Sequence, residues 1–229
     1  YQLLETLNAT ANTYHSIPGI NHGVFCITAF DYYNNETNYV CTEASEFSSI
    51  TLTLLDGANL VSFPCMPGDD PSIINIFNSI NQYFEDIITE GSAASYSQDQ
   101  GWIGNISELE RRKGYWLKLN IEGEPGAMDC DGQSCTYLTI TGNATNYDIT
   151  YTLHEGANLV SYVGPNGVSI QDAIPDEIEH LFSAIIGQGE AATQNPVNGW
   201  VGNLTHFYNG EGYWIKIPSN TPDFNFIWN

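Results

Sequence analysis

The sequence has very little positive charge. Its 229 residues include 5 Lys and Arg against 27 Asp and Glu, which gives a formal net charge of -22. A surface of this sign repels the phosphate backbone of nucleic acids and anionic membrane surfaces, so we expect neither partner. The acidic residues are spread along the chain instead of gathered in a tail, which is typical of a solvated surface. The sequence also lacks any run of about 20 apolar residues, so we expect no membrane insertion.

Cysteine is scarce, and the five cysteines form no CxxC pair and no Cys/His cluster, which weighs against a zinc site. Cys26 and Cys41 lie on successive strand-like runs, and Cys130 and Cys135 flank an Asp-Gly turn. Both spacings suit local disulfides, which form in oxidising compartments, so we expect an extracellular or cell-surface protein. The fifth cysteine, Cys65, is then either buried and free or paired between chains.

Two further features concern processing. The chain opens on Tyr1, without an initiator Met or a signal peptide, so we expect a processed product or a fragment. Asn-X-Ser/Thr triplets are acceptors of N-glycosylation and fit the same secreted location. The glycosylation candidates are Asn8, Asn35, Asn105, Asn143 and Asn203.

Three sequence blocks occur twice, in the same order and at nearly the same spacing, which indicates an internal duplication. The offset between the copies is 99 residues for the first block and 98 for the other two. The pairs are LTLLDGANLVSF at 52–63 with YTLHEGANLVSY at 151–162, GWIGNIS at 101–107 with GWVGNLT at 199–205, and GYWLK at 114–118 with GYWIK at 212–216.

Each copy has the pattern of a small unit dominated by strands. In the first copy, the alternating run Thr51–Leu55 predicts a strand, and the glycine after it suits a tight turn. Apolar residues at helical spacing predict a short amphipathic helix over Asp70–Tyr83. Its counterpart, Ser169–Leu181, contains Pro175, so we expect that helix to be kinked or divided. Closing strands are predicted at Tyr137–Thr141 and Phe224–Trp228.

The expected fold class is therefore mainly β with short helices (α+β), with each copy forming an open sheet or partial barrel crossed by one helix. We divide the chain into three domains. Residues 1–50 form the first, 51–147 form repeat domain 1 with a disulfide-bearing insert, and 148–229 form repeat domain 2.

The duplication also shows which residues the unit retains. These are Gly, Trp, Tyr, Asn, Ser, Ala and apolar residues, and the only titratable pairs are Lys118 with Lys216 and Asp56 with Glu155. No histidine has a histidine counterpart, and the chain has no Gly-x-Ser-x-Gly, no His-Glu-x-x-His and no duplicated carboxylate pair. Because these motifs are the usual signs of hydrolytic sites, we expect no enzymatic activity.

Two tryptophans and two aspartates are the candidate ligand-binding residues. Trp102 and Trp200 each lie between two glycines, and either stack on a sugar as exposed platforms or pack against backbone inside the core, which is the preferred interpretation. Asp129 and Asp131 alternate as ligands do at the start of a calcium loop, but the distal Glu is absent and a disulfide-bonded turn accounts for the same residues. The sequence thus predicts no cofactor, with calcium at the two aspartates as the alternative.

The N-terminal sequence HGVFCITAFD at 22–31 is followed by Asn35-Glu36-Thr37 and Val40-Cys41. This succession resembles the last strands of a fibronectin type III module from bacterial secreted proteins. The resemblance implies that residues 1–50 are part of a β-sandwich of which about half is present. Because half a sandwich exposes its core and its edges, we expect the missing strands upstream in the polypeptide or donated by another chain.

The Gly-x-Asn-Leu-Val-Ser and Gly-Tyr-Trp-x-Lys motifs, each present twice in residues 51–229, resemble those of domains at the C-terminal ends of large marine bacterial extracellular proteins. The resemblance implies cell-surface, adhesive or matrix roles and supplies no catalytic residues. We therefore expect an extracellular structural protein, a surface filament or adhesin subunit that self-assembles with identical subunits through β-strand contacts. The alternatives are a carbohydrate-binding module of a secreted protein, with a glycan partner held by exposed aromatics, and an export or anchoring signal.

Overall fold

The computed structural model describes residues 24–27, 40–43 and 47–229. The chain forms two units, which divide between Glu46 and Phe47. In the first unit, strands β1 (Val24–Ile27) and β2 (Val40–Glu43) pair antiparallel. Most of the expected fibronectin-like sandwich lies outside the described residues.

The β1–β2 register bears on the first expected disulfide. It places Cys26 opposite Cys41 in the backbone. The bond between them stays a prediction. Two glycosylation candidates, Asn8 and Asn35, lie outside the described residues.

The second unit is built from short strands joined by turns. Its strands are β3 (Phe47–Leu55), β4 (Gly57–Ser62), β5 (Cys65–Met66), β6 (Phe84–Thr89), β7 (Ser92–Ser97), β8 (Gly101–Gly104), β9 (Gly114–Leu119), β10 (Met128–Cys130), β11 (Gln133–Ala144), β12 (Tyr151–Leu153), β13 (Gly156–Ser161), β14 (Val168–Ser169), β15 (Ala184–Ile186), β16 (Ala191–Asn195), β17 (Gly199–Gly202), β18 (His206–Phe207), β19 (Gly212–Ile217) and β20 (Phe224–Phe226). The helices are α1 (Ile73–Ile76), α2 (Ile170–Ala173) and α3 (Asp176–Glu179), with a 3-10 turn at Asn81–Tyr83. The prediction of a mainly β fold is confirmed, and the sheets of the described residues are antiparallel and do not close into a barrel.

Two five-stranded sheets have the same strand order. The first runs β4-β9-β6-β7-β8 and the second β13-β19-β15-β16-β17. The repeated sequence blocks form corresponding strands, with GANLVS in β4 and β13, the Gly-Trp-x-Gly segment in β8 and β17, and the Gly-Tyr-Trp segment in β9 and β19. We refer to residues 51–147 as repeat 1 and to residues 148–229 as repeat 2.

Each five-stranded sheet packs its inner face on a second layer. In repeat 1 this layer is the long β3–β11 ladder, and in repeat 2 it is the shorter β12–β20 pair. Because side chains alternate along a strand, Tyr115 and Leu117 of β9 point into the core, whereas Trp116 and Lys118 lie on the outer face. The buried side chains of repeat 1 and of repeat 2 form separate clusters, so each repeat has a core of its own.

The helices are shorter than the sequence predicts. Within the expected helix Asp70–Tyr83, only Ile73–Ile76 is α-helical, and Ser72 Oγ caps it by accepting a hydrogen bond from Asn75 N at 3.2 Å. Phe77 is still buried beyond its end, because turns continue to bring the apolar side chains inward. In repeat 2, Pro175 separates α2 from α3, as its missing N–H and fixed φ require. No helix in the described residues is long and apolar enough to cross a membrane.

A disulfide-bonded hairpin forms the insert of repeat 1. Strand β10 pairs with the start of β11 about a two-residue turn with positive φ at Asp131 (55°) and Gly132 (84°), as in a type I′ turn. The structure joins Cys130 to Cys135 across this hairpin, as expected. Asp129 Oδ1 accepts a hydrogen bond from Gly132 N at 2.8 Å, so one calcium candidate serves the turn. Across the described residues, no three His, Cys, Asp or Glu side chains are grouped to hold a metal.

The fifth cysteine, Cys65, lies in the core of repeat 1. Cys65 on β5 is 1% exposed and carries a free thiol, which matches the first of its two expected states. Its Sγ donates a hydrogen bond to Ile140 O at 3.5 Å, and burial raises the pKa of the thiol. The thiol is therefore a packing group in the core of repeat 1.

Candidate functional site

The asparagine that both repeats share binds the backbone of its own repeat. Asn59 is buried in β4, where its Oδ1 accepts from Leu55 N and its Nδ2 donates to Leu55 O, both at 2.8 Å. Asn158 makes the same two bonds to His154, at 2.9 and 2.8 Å. The side chain thus satisfies backbone groups beside the tight turn that precedes the strand.

The shared acidic residue also serves the backbone. Asp56 Oδ1 accepts a hydrogen bond from Ile121 N at 2.6 Å, in the loop after β9. Glu155 Oε2 accepts one from Asn220 N at 2.8 Å, in the corresponding loop after β19. In both repeats the carboxylate holds this loop against the first turn.

The shared tyrosine is buried and anchors the loop that precedes its own strand. Tyr115 OH accepts from Glu110 N at 2.7 Å, and Tyr213 OH accepts from Tyr208 N at 3.0 Å. Burial raises the pKa of both phenols, so they stay protonated at neutral pH. Tyr213 also donates to Glu211 Oε2 at 2.6 Å.

The shared sequon asparagines, Asn105 and Asn203, are exposed and directly follow the edge strands β8 and β17. Their Oδ1 atoms accept hydrogen bonds from Ala93 N at 2.8 Å and Ala191 N at 2.9 Å, which accounts for an asparagine at both positions. The side-chain nitrogen that would carry a glycan is not required for these two bonds.

We expect the three described sequons to differ in glycosylation. Asn143 is partly buried in β11 between β3 and β5, and a Cβ added to Gly68 would lie 2.6 Å from its Nδ2. A glycan at Asn143 would have to displace this strand, so in a glycosylating host we expect occupancy at Asn105 and Asn203 but not at Asn143. Peptide mapping after enzymatic deglycosylation in heavy-oxygen water measures this. Asn78, which starts no sequon, controls for spontaneous deamidation, and a glycan on Asn143 would contradict the expectation.

The two stacking candidates lie on the inner faces of the sheets, where both rings are partly buried. The ring centroid of Trp102 is 5.9 Å from that of Phe77, 5.1 Å from that of Phe84 and 5.3 Å from that of Tyr96. Trp200 packs on the core of repeat 2, and within the described residues its buried Nε1 has no hydrogen-bond partner. The placement supports the packing interpretation, and sugar stacking stays a prediction.

Replacing Trp102 with alanine separates these two interpretations. Because the ring fills part of an aromatic cluster, we expect Trp102→Ala to lower the free energy of unfolding by about 3 kcal/mol. A sugar platform would lose binding with little change in stability. Urea denaturation followed by circular dichroism measures the change. Ile103→Ala, on the outer face of the same strand and 52% exposed, is the control and should cost less than about 0.5 kcal/mol.

The outer faces of the two sheets meet where β4 and β13 adjoin the starts of β9 and β19, and we call this region the junction. Ser62 N donates to Gly210 O at 2.8 Å, and Ser161 N donates to Arg112 O at 3.0 Å. The two serine hydroxyls donate to the adjacent carbonyls at 2.7 and 2.6 Å. The backbone bonds are equivalent, because Gly210 and Arg112 occupy corresponding positions of the two repeats, whereas the hydroxyl acceptors, Glu211 O and Arg111 O, do not correspond. The backbone pairing is therefore reciprocal, as in a two-fold dimer.

Two leucines and two glycines fill the junction. Leu60 and Leu159 are each 2% exposed but belong to neither core cluster. A Cβ added to Gly114 would lie 2.8 Å from Leu159 Cδ1, and one added to Gly212 would lie 3.1 Å from Leu60 Cδ1 and 3.3 Å from Gly114 Cα. Only glycine lets the two backbones approach this closely, which explains the glycine of both Gly-Tyr-Trp motifs.

Side chains of the opposite repeat cover the edges of β4 and β13. Gln188 Oε1 accepts from Leu60 N at 2.7 Å, and its Nε2 donates to a carbonyl of the same strand at 3.1 Å. At the corresponding place, Glu90 Oε2 accepts from Leu159 N at 3.2 Å. A carboxylate cannot donate, and the other oxygen of Glu90 instead contacts His154 Nε2. The two halves of the junction therefore differ in charge.

Three of the chain's five Lys and Arg are consecutive, at Arg111–Lys113, and lie at the junction. Arg111 Nη1 donates to Asn143 O at 2.8 Å, and Arg112 Nε donates to Thr150 O at 2.6 Å. These acceptors lie at the two ends of the linker that joins the repeats. The basic segment thus holds the linker by hydrogen bonds. Because the chain has one such linker, repeat 2 does not need these side chains, and it has Asn, Gly and Glu at the corresponding positions.

A cavity of about 420 Å³ opens beside the junction and is lined in part by Glu90, Arg112 and His154. Lys113 Nζ and Glu110 Oε1 form an ion pair there, at 2.6 Å. The cavity offers hydrogen bonds and paired charges. The sequence analysis did not predict this cavity. The run Arg111–Lys113 in so acidic a chain was the feature of the sequence that could have indicated it.

Protonation of His154 is expected to stabilise the junction. Its Nδ1 lies 2.6 Å from Glu155 O and its Nε2 contacts Glu90, so an imidazolium donates on both sides. The pKa of His154 is raised mainly by the hydrogen bond to the Glu155 carbonyl, next by Glu90, and to a smaller extent by Asp223. The positively charged Arg112 and Lys113 line the same cavity. Because the pKa of His154 is higher in the folded than in the unfolded state, protonation stabilises the fold fully below about pH 6.5. This stabilisation is lost as the pH rises through the folded-state pKa.

The control for this pH dependence is His154→Leu, which restores the residue that repeat 1 has at Leu55. Between about pH 6 and about pH 9, the wild type should lose about 0.5 kcal/mol more unfolding free energy than the variant. The effect is small because the histidine side chain is 46% exposed. Equal pH dependence of the two proteins in urea denaturation would contradict the assignment.

Comparison of the chain with protein-family models, curated proteins and solved structures finds no match. The resemblances to a fibronectin type III module and to marine bacterial C-terminal domains accordingly stay predictions.

Proposed function

We propose that the protein is an extracellular structural protein, a subunit of a surface filament or an adhesin, in which the two repeats form a stable module. The observation that carries the proposal is that the polar residues shared by the repeats hold backbone in place. Asn59 and Asn158 satisfy turns, Asp56 and Glu155 hold loops, and the buried tyrosines anchor further loops. A binding or catalytic site inherited by both repeats would instead leave shared polar groups pointing into a cavity.

The location we propose follows from the same chemistry. The disulfide of the hairpin is compatible with an oxidising, extracellular compartment. A net charge of -22 keeps separate subunits apart in dilute buffer. Assembly in a salty medium meets less repulsion, because ions screen charges beyond about 10 Å at 0.1 M ionic strength.

The strands of residues 1–50 are the proposed assembly contact. A partial fibronectin-like sandwich would leave paired strands such as β1 and β2 with an open edge, and a strand from an identical subunit would cover it. In the described residues, the β4 and β13 edges are already covered by Gln188 and Glu90, which leaves them unsuited to this task.

Electron microscopy of the full chain, with its intact mass measured in parallel, tests the proposal. We expect ordered filaments whose number rises when salt is increased from about 0.01 M to about 1 M, since the Debye length falls from about 30 Å to about 3 Å. Dispersed particles at the monomer mass of 25.3 kDa across this range would overturn the filament proposal. A glycan array run on the same sample distinguishes the carbohydrate-binding alternative, which requires binding that is lost in Trp102→Ala while the fold persists.

A further inference from the structure

We infer that the junction is a self-complementary pairing surface whose partner is a second unit of the same kind, so that the two repeats stay paired without the covalent linker. This inference concerns residues 51–229 and does not depend on filament formation. It assigns an interaction surface to each repeat, made of the edge strand, β4 or β13, and the start of the strand beside it, β9 or β19.

Reciprocity of the contacts is the first argument. The bridge from Val61 to Glu211 has its counterpart in the bridge from Val160 to Lys113. The backbone bonds of Ser62 and Ser161 repeat in the same way, as do the bonds that Gln188 and Glu90 accept from Leu60 N and Leu159 N. A set of contacts in which each partner supplies the same groups is the mark of an isologous interface, the kind that identical subunits form.

Separate cores are the second argument. Buried residues of repeat 1 and repeat 2 form two clusters, so each repeat can bury its own apolar residues. Leu60 and Leu159 lie outside both clusters, and each is packed close to a glycine of the opposite repeat. Alone in water, each repeat would expose this leucine together with the uncovered backbone of its edge strand, which favours pairing.

The linker adds little to this surface. The contacts that cross the junction join strands and loops on both sides, whereas residues 146–148 are exposed and lie outside the strands. Thr145 N donates to Pro64 O at 2.7 Å within repeat 1, so the linker is anchored before it leaves that repeat. Cutting the exposed part removes no contact of the junction itself.

The test uses the full chain with a protease recognition sequence inserted between the exposed residues Tyr147 and Asp148. After cleavage, a denaturing gel confirms two fragments, and native mass spectrometry at about 1 µM reads the assembly state. We expect the two fragments to remain together at the mass of the uncut protein. Separation of the fragments at this concentration, whether they stay folded or not, would overturn the inference.

Two variants and one control locate the contact. Leu60→Asp places a charge in the apolar centre of the junction and should weaken pairing by at least about a hundredfold, which separates the cleaved fragments. Gln188→Ala removes only an exposed side chain that covers the β4 edge, cannot disturb either core, and should weaken pairing about tenfold. Ile103→Asp, on the far edge strand and 52% exposed, should change nothing. Pairing that survives both junction variants would assign the contact elsewhere.

Discussion

Gly212→Val is expected to lower the free energy of unfolding by about 3 kcal/mol, because it puts a branched side chain where two backbones meet. A Cβ at this position would lie 2.7 Å from Val61 O, a backbone atom that cannot move without shifting β4. Gly114→Val should have a similar effect, since its Cβ would lie 2.8 Å from Val160 O. Urea denaturation of the full chain measures both.

Lys216→Val is the matched control for these variants. It changes the same strand, β19, on the same outer face, but at an exposed position. Valine suits a strand, so the expected change is within about 0.5 kcal/mol. Wild-type stability in Gly212→Val would mean that the two sheets do not approach at this glycine.

Arg111→Met is expected to cost about 3 kcal/mol, and to do so by releasing the linker. The guanidinium donates to Asn143 O at 2.8 Å, to Thr145 Oγ1 at 2.9 Å and to Met66 O at 3.4 Å. Methionine keeps the apolar stem of the side chain, so the loss comes from acceptors left without a donor in a partly buried place. Chemical denaturation gives the magnitude, and faster proteolysis at residues 146–148 reports the freed linker.

Lys118→Met serves as the control for charge. Lys118 Nζ lies 2.7 Å from Glu85 Oε2, but the lysine side chain is 56% exposed, and water screens the pair. We expect a much smaller loss of stability than in Arg111→Met. Equal losses of unfolding free energy in the two variants would show that Arg111 contributes as an ordinary surface charge and does not stabilise the linker.

Local patterns were enough to predict several of the strands. Alternation in Thr51–Leu55 and the Gly-Tyr-Trp segments report burial on one face, and the structure places both in strands because period-two burial is a property of neighbouring residues. The helix prediction over Asp70–Tyr83 was too long for a related reason. Apolar residues three or four apart fit a 3-10 turn as well as an α-helix, so the pattern identifies a buried face without its exact backbone.

Local sequence patterns did not predict the junction. Gly114 and Gly212 look in the sequence like any glycine at the start of a strand, and only the approach of a second backbone shows why no side chain fits. Leu60 and Leu159 continue the apolar runs of their strands, so nothing local separates a leucine of the junction from one of the core. The single available signal was charge, since Arg111 and its two neighbours stand out against 27 acidic residues.

The β3–β11 ladder has a mechanical consequence. A tensile load that travels along the chain enters at Phe47 and leaves after Ala144, and these residues lie at the same end of the ladder, where Phe47 faces Asn143. When an antiparallel strand pair is pulled apart from one end, its backbone pairs break one after another. Under shear, all the pairs would bear the load together. Arg111 grips Asn143 at that end, and β5 pairs with the last two residues of β11. We expect the force that starts this opening to be set by the Arg111 guanidinium and the two β5–β11 pairs, after which the nine β3–β11 pairs open in turn.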